Sequence, residues 1–346
     1  DRLEPIARSR LTTLLDQLGP ELSAYPIDVT ERMLRFISTC TRRSVYLSLL
    51  SENPATRARM LDILDRSSWV TERLIEMPAL LDELLTLDAS DAEMSREAIG
   101  QELSMRLQRV DPDDPERLTE VLVQFAHGLA FRVAVFEIRG EIPLMRVSDQ
   151  LTWIAEAVVS EVLHYAYREV ANKHGHPVVN ATEGNNWLGL SALGYGKLGG
   201  LEMSYGSDLD LVFVHGIDSE QITDGDVAIE GGLFVNRVVR RVIALIETNT
   251  RFGRLYEIDT RLRPSGRSGL MVVGLDALRK YLDELAWTWE LQAFVRARPV
   301  AGDRFLSAKL ETLRIEILRR TRKRTELLRD VVGMREKMRA HLGSKA

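Results

Sequence analysis

Trp187-Leu-Gly-Leu-Ser-Ala-Leu193 runs into Gly194-Tyr-Gly-Lys-Leu-Gly-Gly200 and then, after a short spacer, into Ser207-Asp-Leu-Asp-Leu-Val-Phe213. The first stretch reads as a buried strand, the second as a tight glycine-rich connection, and Leu209–His215 as a second strand. Asp208 and Asp210 stand two apart at the start of that strand, so both carboxylates project from one face. Two acids a few ångströms apart repel unless a cation lies between them, and hard oxygen ligands suit Mg²⁺ or Mn²⁺. An isolated Asp-x-Asp is more often a solvated strand edge or a helix cap. A third acid, Asp259 in the strand-like Leu255-Tyr-Glu-Ile-Asp-Thr-Arg261, shifts the balance toward metal binding if its strand neighbours the first pair. Glu257 shares its face and is an alternative ligand.

The glycine run formally matches a dinucleotide fingerprint at Gly194-x-Gly196-x-x-Gly199. Asp208 follows too soon for the helix that a dinucleotide fold places after its glycines. A P-loop fails as well, because Leu198 occupies the Ser/Thr position after Lys197. A strand-to-strand connection whose backbone amides can approach a polyphosphate remains, against a plain turn with no ligand. Arg261 and Arg263 in Arg261-Leu-Arg-Pro-Ser-Gly-Arg267 add guanidinium groups suited to phosphate oxygens just beyond Asp259. His174 and His176 read as surface loop histidines rather than a metal pair. Trp287, Trp289, Arg296 and Arg298 read as helix packing with solvated ends.

Around this segment the pattern is helical. Residues 1 to about 110 show apolar positions three and four apart, as in Leu11-Leu14-Leu15-Leu18, with breaks at Gly19-Pro20, Tyr25-Pro26, Asn53-Pro54, Met77-Pro78 and Asp88–Asp91. Asp111-Pro-Asp-Asp-Pro-Glu116 is the best candidate for a boundary, followed by long amphipathic patterns from about Glu116 to Arg139 and from Val147 to Ala171. Beyond the second strand the spacing predicts a helix over about 225–250, a strand over 253–259, a turn at Pro264-Ser-Gly266, a strand over 269–273, and helices from Leu275 onward. The fold class expected is α+β, mostly helical, with a small mixed sheet between helical layers. The divisions are 1–110, a helical bundle; 111–309, the sheet domain with its leading helices; and 310–346, the start of a further helical domain.

The 346 residues are 45% hydrophobic and 28% charged, a soluble globular composition that argues against a membrane-spanning or low-complexity chain. A net charge of −5 argues against a dedicated nucleic-acid binder or a polybasic membrane anchor. Cys40 is the single cysteine, which with the lack of zinc spacing favours a reducing, cytoplasmic setting. A start at Asp1 and an end directly after a helical pattern suggest an excised fragment.

A glycine pair at Gly199-Gly200, then Asp208-x-Asp210, then the strand-borne Asp259, resembles the DNA polymerase β nucleotidyltransferase superfamily. The surrounding words are similar to the glutamine synthetase adenylyltransferase family: Gly194–Gly200, Ser207–Phe213, Tyr256-Glu-Ile-Asp-Thr-Arg-Leu-Arg-Pro-Ser-Gly266 and Trp287-Thr-Trp-Glu290, with Arg42–Tyr46, Leu49–Pro54 and Val147–Trp153 in the helical part. The resemblance covers nearly the whole chain. It implies the adenylylating, C-terminal half of a bifunctional enzyme, preceded by central regulatory helices. It also implies two Mg²⁺ ions held by Asp208, Asp210 and Asp259, with Gly199, Gly200 and Ser207 cradling phosphate. Lys197, Arg261 and Arg263 would stabilise the leaving group, and Asp259 would act as general base. The implied reaction moves AMP from ATP to a tyrosine of glutamine synthetase, with a PII-type regulator and glutamine as effectors and neither nucleic acid nor membrane as partner. The alternatives are the deadenylylating half, or an inactive helical module that binds a PII-type regulator.

Overall fold

The computed structural model describes residues 5–40, 44–87, 92–177, 189–264, 266, 269–321 and 323–343. It is α+β and mostly helical, with one small mixed sheet. The chain forms two compact units, one of residues up to Glu102 with Val123–Leu151, the other of Leu103–Leu122 with residues from Thr152 onward.

The first unit is helical throughout its described residues. It holds α1 (Pro5–Leu22), α2 (Ile27–Cys40), α3 (Ser44–Glu52), α4 (Pro54–Arg66), α5 (Ser68–Glu76), a 3-10 turn at Pro78–Leu80 and α6 (Leu81–Thr86). It also takes parts of α7 (Arg96–Leu107), α8 (Pro115–Ile138) and α9 (Leu144–His174). Helix α2 shows the governing periodicity: Val29, Met33, Phe36, Ile37 and Cys40 make one buried stripe. Each large apolar side chain so buried contributes about 1.5–3 kcal/mol of transfer free energy. The expected break at Gly19-Pro20 does not occur, and α1 runs on to Leu22 with Pro20 inside it. Pro20 lies in the last turn, where its missing N–H removes a single helical bond. Pro54 and Pro78 do stand at first helical positions, as their fixed φ favours. The Asp88–Asp91 cluster lies outside the described residues. Asp114 caps α8 through the Arg117 amide at 2.9 Å. That helix is apolar and long enough to cross a bilayer, but two thirds of its apolar window (67%) is buried in protein, which accounts for its composition.

The second unit carries the sheet, in the order β3 (Ile258–Asp259), β2 (Leu209–His215), β1 (Leu190–Gly194), β5 (Arg298–Gly302), with β4 (Val272–Gly274) also paired to β2. Strands β1 and β2 are antiparallel, as are β1 and β5, whereas β3 and β4 run parallel to successive parts of β2. Leu193, Val212 and Val214 point from one face into a core with Leu278 and Leu282 of α12 (Leu275–Glu284), Phe294 of α13 (Thr288–Val295), and Leu306, Leu310, Leu313 and Ile317 of α14 (Arg304–Leu318). Helix α11 (Gly231–Glu247) is amphipathic, burying Phe234, Val235, Val238, Val239 and Val242, and α15 (Arg324–Gly343) is the last element among the described residues.

Several boundaries differ from the pattern reading. Helix α11 begins at Gly231 because the preceding stretch is tied to the end of α9: Asp224 accepts the His176 amide and Thr223 donates to the His174 carbonyl. The third strand shrinks to Ile258–Asp259, the length that pairs with β2. Strand β5 is absent from the sequence reading because Pro299 breaks its pattern; as an edge strand it tolerates the missing amide donor. Trp187 lies outside the described residues.

Arg57, 4% exposed, gathers the helical unit. It pairs with Glu21 at 2.7 Å and donates to Gln17 and to the carbonyls of Leu50 and Ser51. Replacing it by Ala leaves those acceptors without a donor. Arg57→Ala is expected to cost about 3 kcal/mol, read as a lower midpoint in urea melts of the helical signal.

Candidate active site

The site grows from the sheet's most buried strands. Every residue of β1 is buried, and in β2 only Asp210 is even partly exposed. By strand alternation Asp208 and Asp210 share the face of Val212 and Val214. Strand β3 pairs Leu209 with Ile258 and Asp210 with Asp259. The third acid therefore stands beside the second on one face, as the strand argument requires. Glu257 is exposed and engaged by Arg254.

Between β1 and β2 the glycine run, read from sequence as a tight strand-to-strand connection, forms a single helical turn, α10 (Gly196–Gly199). Glycine is required at two of its positions. Gly196 has φ +51°, with the Asp210 carboxylate directly where a Cβ would stand. A Cβ on Gly199 would overlap the carbonyl oxygens of Gly194 and Arg296. The turn ends at Leu201, whose φ of 58° makes it the only non-glycine residue with positive φ among those described. The Glu202 amide reaches back to the Lys197 carbonyl at 2.8 Å, a Schellman-type cap whose left-handed position usually takes glycine.

Lys197 projects from this turn over the next loop. Its ammonium lies 3.3 Å from Ser204 Oγ and 3.4 Å from Ser207 Oγ, and the two hydroxyls are 2.9 Å apart. Ser204, which sequence reasoning passed over, thus belongs to the cluster; no motif spacing marks it. Beyond β3, Arg261 embraces Asp259: its Nε is 3.0 Å from Oδ1 and 2.7 Å from Oδ2, and its amide donates to Oδ1 at 2.8 Å. Arg261 remains 65% exposed. Arg263 is different. It is 8% exposed, and its guanidinium donates to the Gly269 and Thr260 carbonyls and to the Thr260 hydroxyl, so it holds its own turn.

Burial pushes the Asp210 carboxyl above the usual carboxylate range, with repulsion from Asp259 and Asp208 adding to it and Arg261 and Lys197 opposing. Three acids within electrostatic reach form a hard oxygen donor set of the kind that suits Mg²⁺ or Mn²⁺. Among the described residues no three His, Cys, Asp or Glu side chains converge on one metal position, and Asp259 is engaged by Arg261. The chemistry of the donors fits a divalent cation at Asp208 and Asp210, beside an Asp259 that Arg261 engages. Of the two histidines only His176 is an exposed loop residue, whereas His174 closes α9. His174 is buried, its Nδ1 on the Val227 carbonyl at 2.7 Å and its Nε2 against Arg237, and His176 meets the Tyr167 hydroxyl.

A family model described as glutamate-ammonia ligase adenylyltransferase matches residues 57–313. The chain belongs to that family. It is 44% identical over 331 residues to a protein of Thioalkalivibrio sulfidiphilus, covering 94% of this chain and 34% of that protein. A Pseudomonas putida protein is 42% identical, covering 99% of this chain and 35% of its own length, and a Methylococcus capsulatus protein 41%, covering 99% and 37%. All three are described as bifunctional glutamine synthetase adenylyltransferase/adenylyl-removing enzymes. This member of the glutamate-ammonia ligase adenylyltransferase family spans about a third of the length of these curated relatives.

Two expectations follow from the site. Gly199→Ala forces a methyl group against two backbone carbonyls that cannot swing aside, and should lower stability by about 2–3 kcal/mol in denaturant titrations. Asp210→Asn removes a charge that the fold disfavours. In metal-free buffer it should melt higher than the parent at pH 7; the gap should narrow as pH falls through the raised Asp210 pKa and close below about pH 4, where the unfolded carboxylate is also protonated. A variant that melts lower at pH 7 would contradict this electrostatic account.

Proposed function

We propose that this chain transfers AMP from ATP to a tyrosine of glutamine synthetase, releasing pyrophosphate, and that it does so with Mg²⁺. The observation that carries the reading is the register of Asp210 with Asp259, beside Asp208 and facing the glycine turn, in a member of this family. Asp208 and Asp210 would hold the metal, with Asp259 as a further ligand. Bound there, Mg²⁺ would neutralise triphosphate charge and lower the pKa of a coordinated hydroxyl.

The remaining work falls to the chain's own groups. Of the glycine pair read as the phosphate cradle, Gly199 is packed against the Gly194 and Arg296 carbonyls, so Gly200 would offer the closer backbone approach, and Ser207 offers a hydroxyl donor beside Lys197. A tyrosine hydroxyl, with an ordinary pKa of about 10, is a weak nucleophile at neutral pH. Asp259 would take its proton once Arg261 turns away. The tyrosine oxygen then bonds to the α-phosphorus as the bond to the bridging oxygen breaks, and that electron pair leaves on pyrophosphate. Lys197 and the released Arg261 would face the growing charge. Arg263 supports this arrangement through its turn, a task that its burial favours over direct phosphate contact.

The helical residues 1–110 are read as the regulatory region, responding to glutamine and a PII-type protein in the cytoplasm. The relatives' description names removal of the adenylyl group as well, and the test separates the two directions. Incubating the chain with ATP, Mg²⁺ and unmodified glutamine synthetase should raise the synthetase subunit mass by one AMP, and Asp208→Asn should abolish the gain. Loss of AMP from the modified synthetase with phosphate, and no gain with ATP, would assign the chain to the opposite direction.

A further inference from the structure

Arg298 opens β5 and is registered opposite Gly194, the last residue of β1. Its side chain turns onto the glycine turn. Nη2 donates to the Leu198 carbonyl at 3.1 Å and Nε lies 3.3 Å from the Gly199 carbonyl. These are the last carbonyls of α10, the groups that a helix end leaves without internal partners. The same Nη2 forms an ion pair with Oε1 of Glu156 in α9, a residue only 3% exposed. One planar guanidinium thus bridges a buried carboxylate and two adjacent backbone carbonyls, and neither lysine nor a neutral side chain offers that fork. The turn is also wedged from the other side, since Gly199 has no room for a Cβ beside the Gly194 and Arg296 carbonyls.

We propose that Arg298, backed by Glu156, is a positioning residue that fixes the Gly196–Gly199 turn against Asp210 and so sets nucleotide affinity. The inference rests on reading this turn as part of a nucleotide site. Arg298 touches no reacting atom. The nearby group it serves is the turn whose Gly196 abuts the Asp210 carboxylate and whose Lys197 reaches Ser207. A loosened turn would shift both relative to the acids.

The test uses the whole chain and two variants. Arg298→Lys keeps a positive charge for Glu156, and therefore the fold, but loses the fork; Glu156→Gln keeps the shape but loses the charge that orients the guanidinium. Hydrogen exchange of a peptide spanning 195–202 is followed without ligand, and affinity for a fluorescent ATP analogue with Mg²⁺ is titrated in parallel. In both variants exchange of 195–202 should quicken, and affinity should fall, on the order of tenfold, the scale of a lost charge-assisted hydrogen bond. Exchange in α11 and α14 should not change. Unchanged exchange at 195–202 in Arg298→Lys, with a parent that binds the nucleotide, would overturn the clamp alone. Faster exchange with undiminished affinity would overturn its link to binding. A parent that binds no nucleotide would overturn the nucleotide reading and this role with it.

Discussion

Two residue pairs carry the site: Leu209 with Ile258 and Asp210 with Asp259. Strand β3 is no longer than this pairing, yet it alone brings a carboxylate from the far side of α11 to the acids at the start of β2. Leu209 anchors the pairing because it is fully buried and accepts no alternative register without turning Asp210 into the core. A slip of one residue would also place Ile258 beside Asp210 and send Asp259 to the opposite face. The short ladder survives because β4 continues along the same edge of β2, and because Arg263 ties together the turn that joins them.

That geometry sets acids against one another at a half-buried position, and the surroundings respond in graded ways. Arg261 answers Asp259 with a fork, Lys197 spans two serine hydroxyls within reach of Asp210, and the glycine turn brings backbone where any side chain would collide. The left-handed Leu201 beside that turn costs about 1 kcal/mol relative to glycine. Strain, repulsion and close backbone approach gather within a few residues of each other. Such concentration is characteristic of functional sites, where local optimisation yields to chemistry.

Much of this was legible in the residues. Alternation in Leu209–His215 gives the shared face of Asp208 and Asp210, and the strand character of Leu255–Arg261 places Asp259 nearby. What the sequence withheld is tertiary. The β5 strand hides behind Pro299, which lowers strand propensity without saying that the residue lies on an edge. Arg263 reads as a free cation because nothing local announces that the Gly269 and Thr260 carbonyls will enclose it. His174 reads as a loop residue because its acceptor, the Val227 carbonyl, lies 53 positions on. Arg298 reads as a solvated helix end, since both the carbonyls that it caps and the carboxylate that orients it are remote in sequence.

The hydrogen bond from Ser191 to the Ala301 carbonyl joins residues 110 positions apart, and the pairs of the β1–β5 ladder are separated by 104 to 111 positions. Synthesis proceeds from the first residue, so the glycine turn and the acids of β2 emerge well before their outer support. At about 5–20 residues per second, roughly 5–20 s pass between the appearance of the turn and that of β5. During that interval β1 has an open edge, and the carbonyls at the end of the turn are answered only by water. The strained turn and its acids are therefore made about a hundred residues ahead of the strand that secures them.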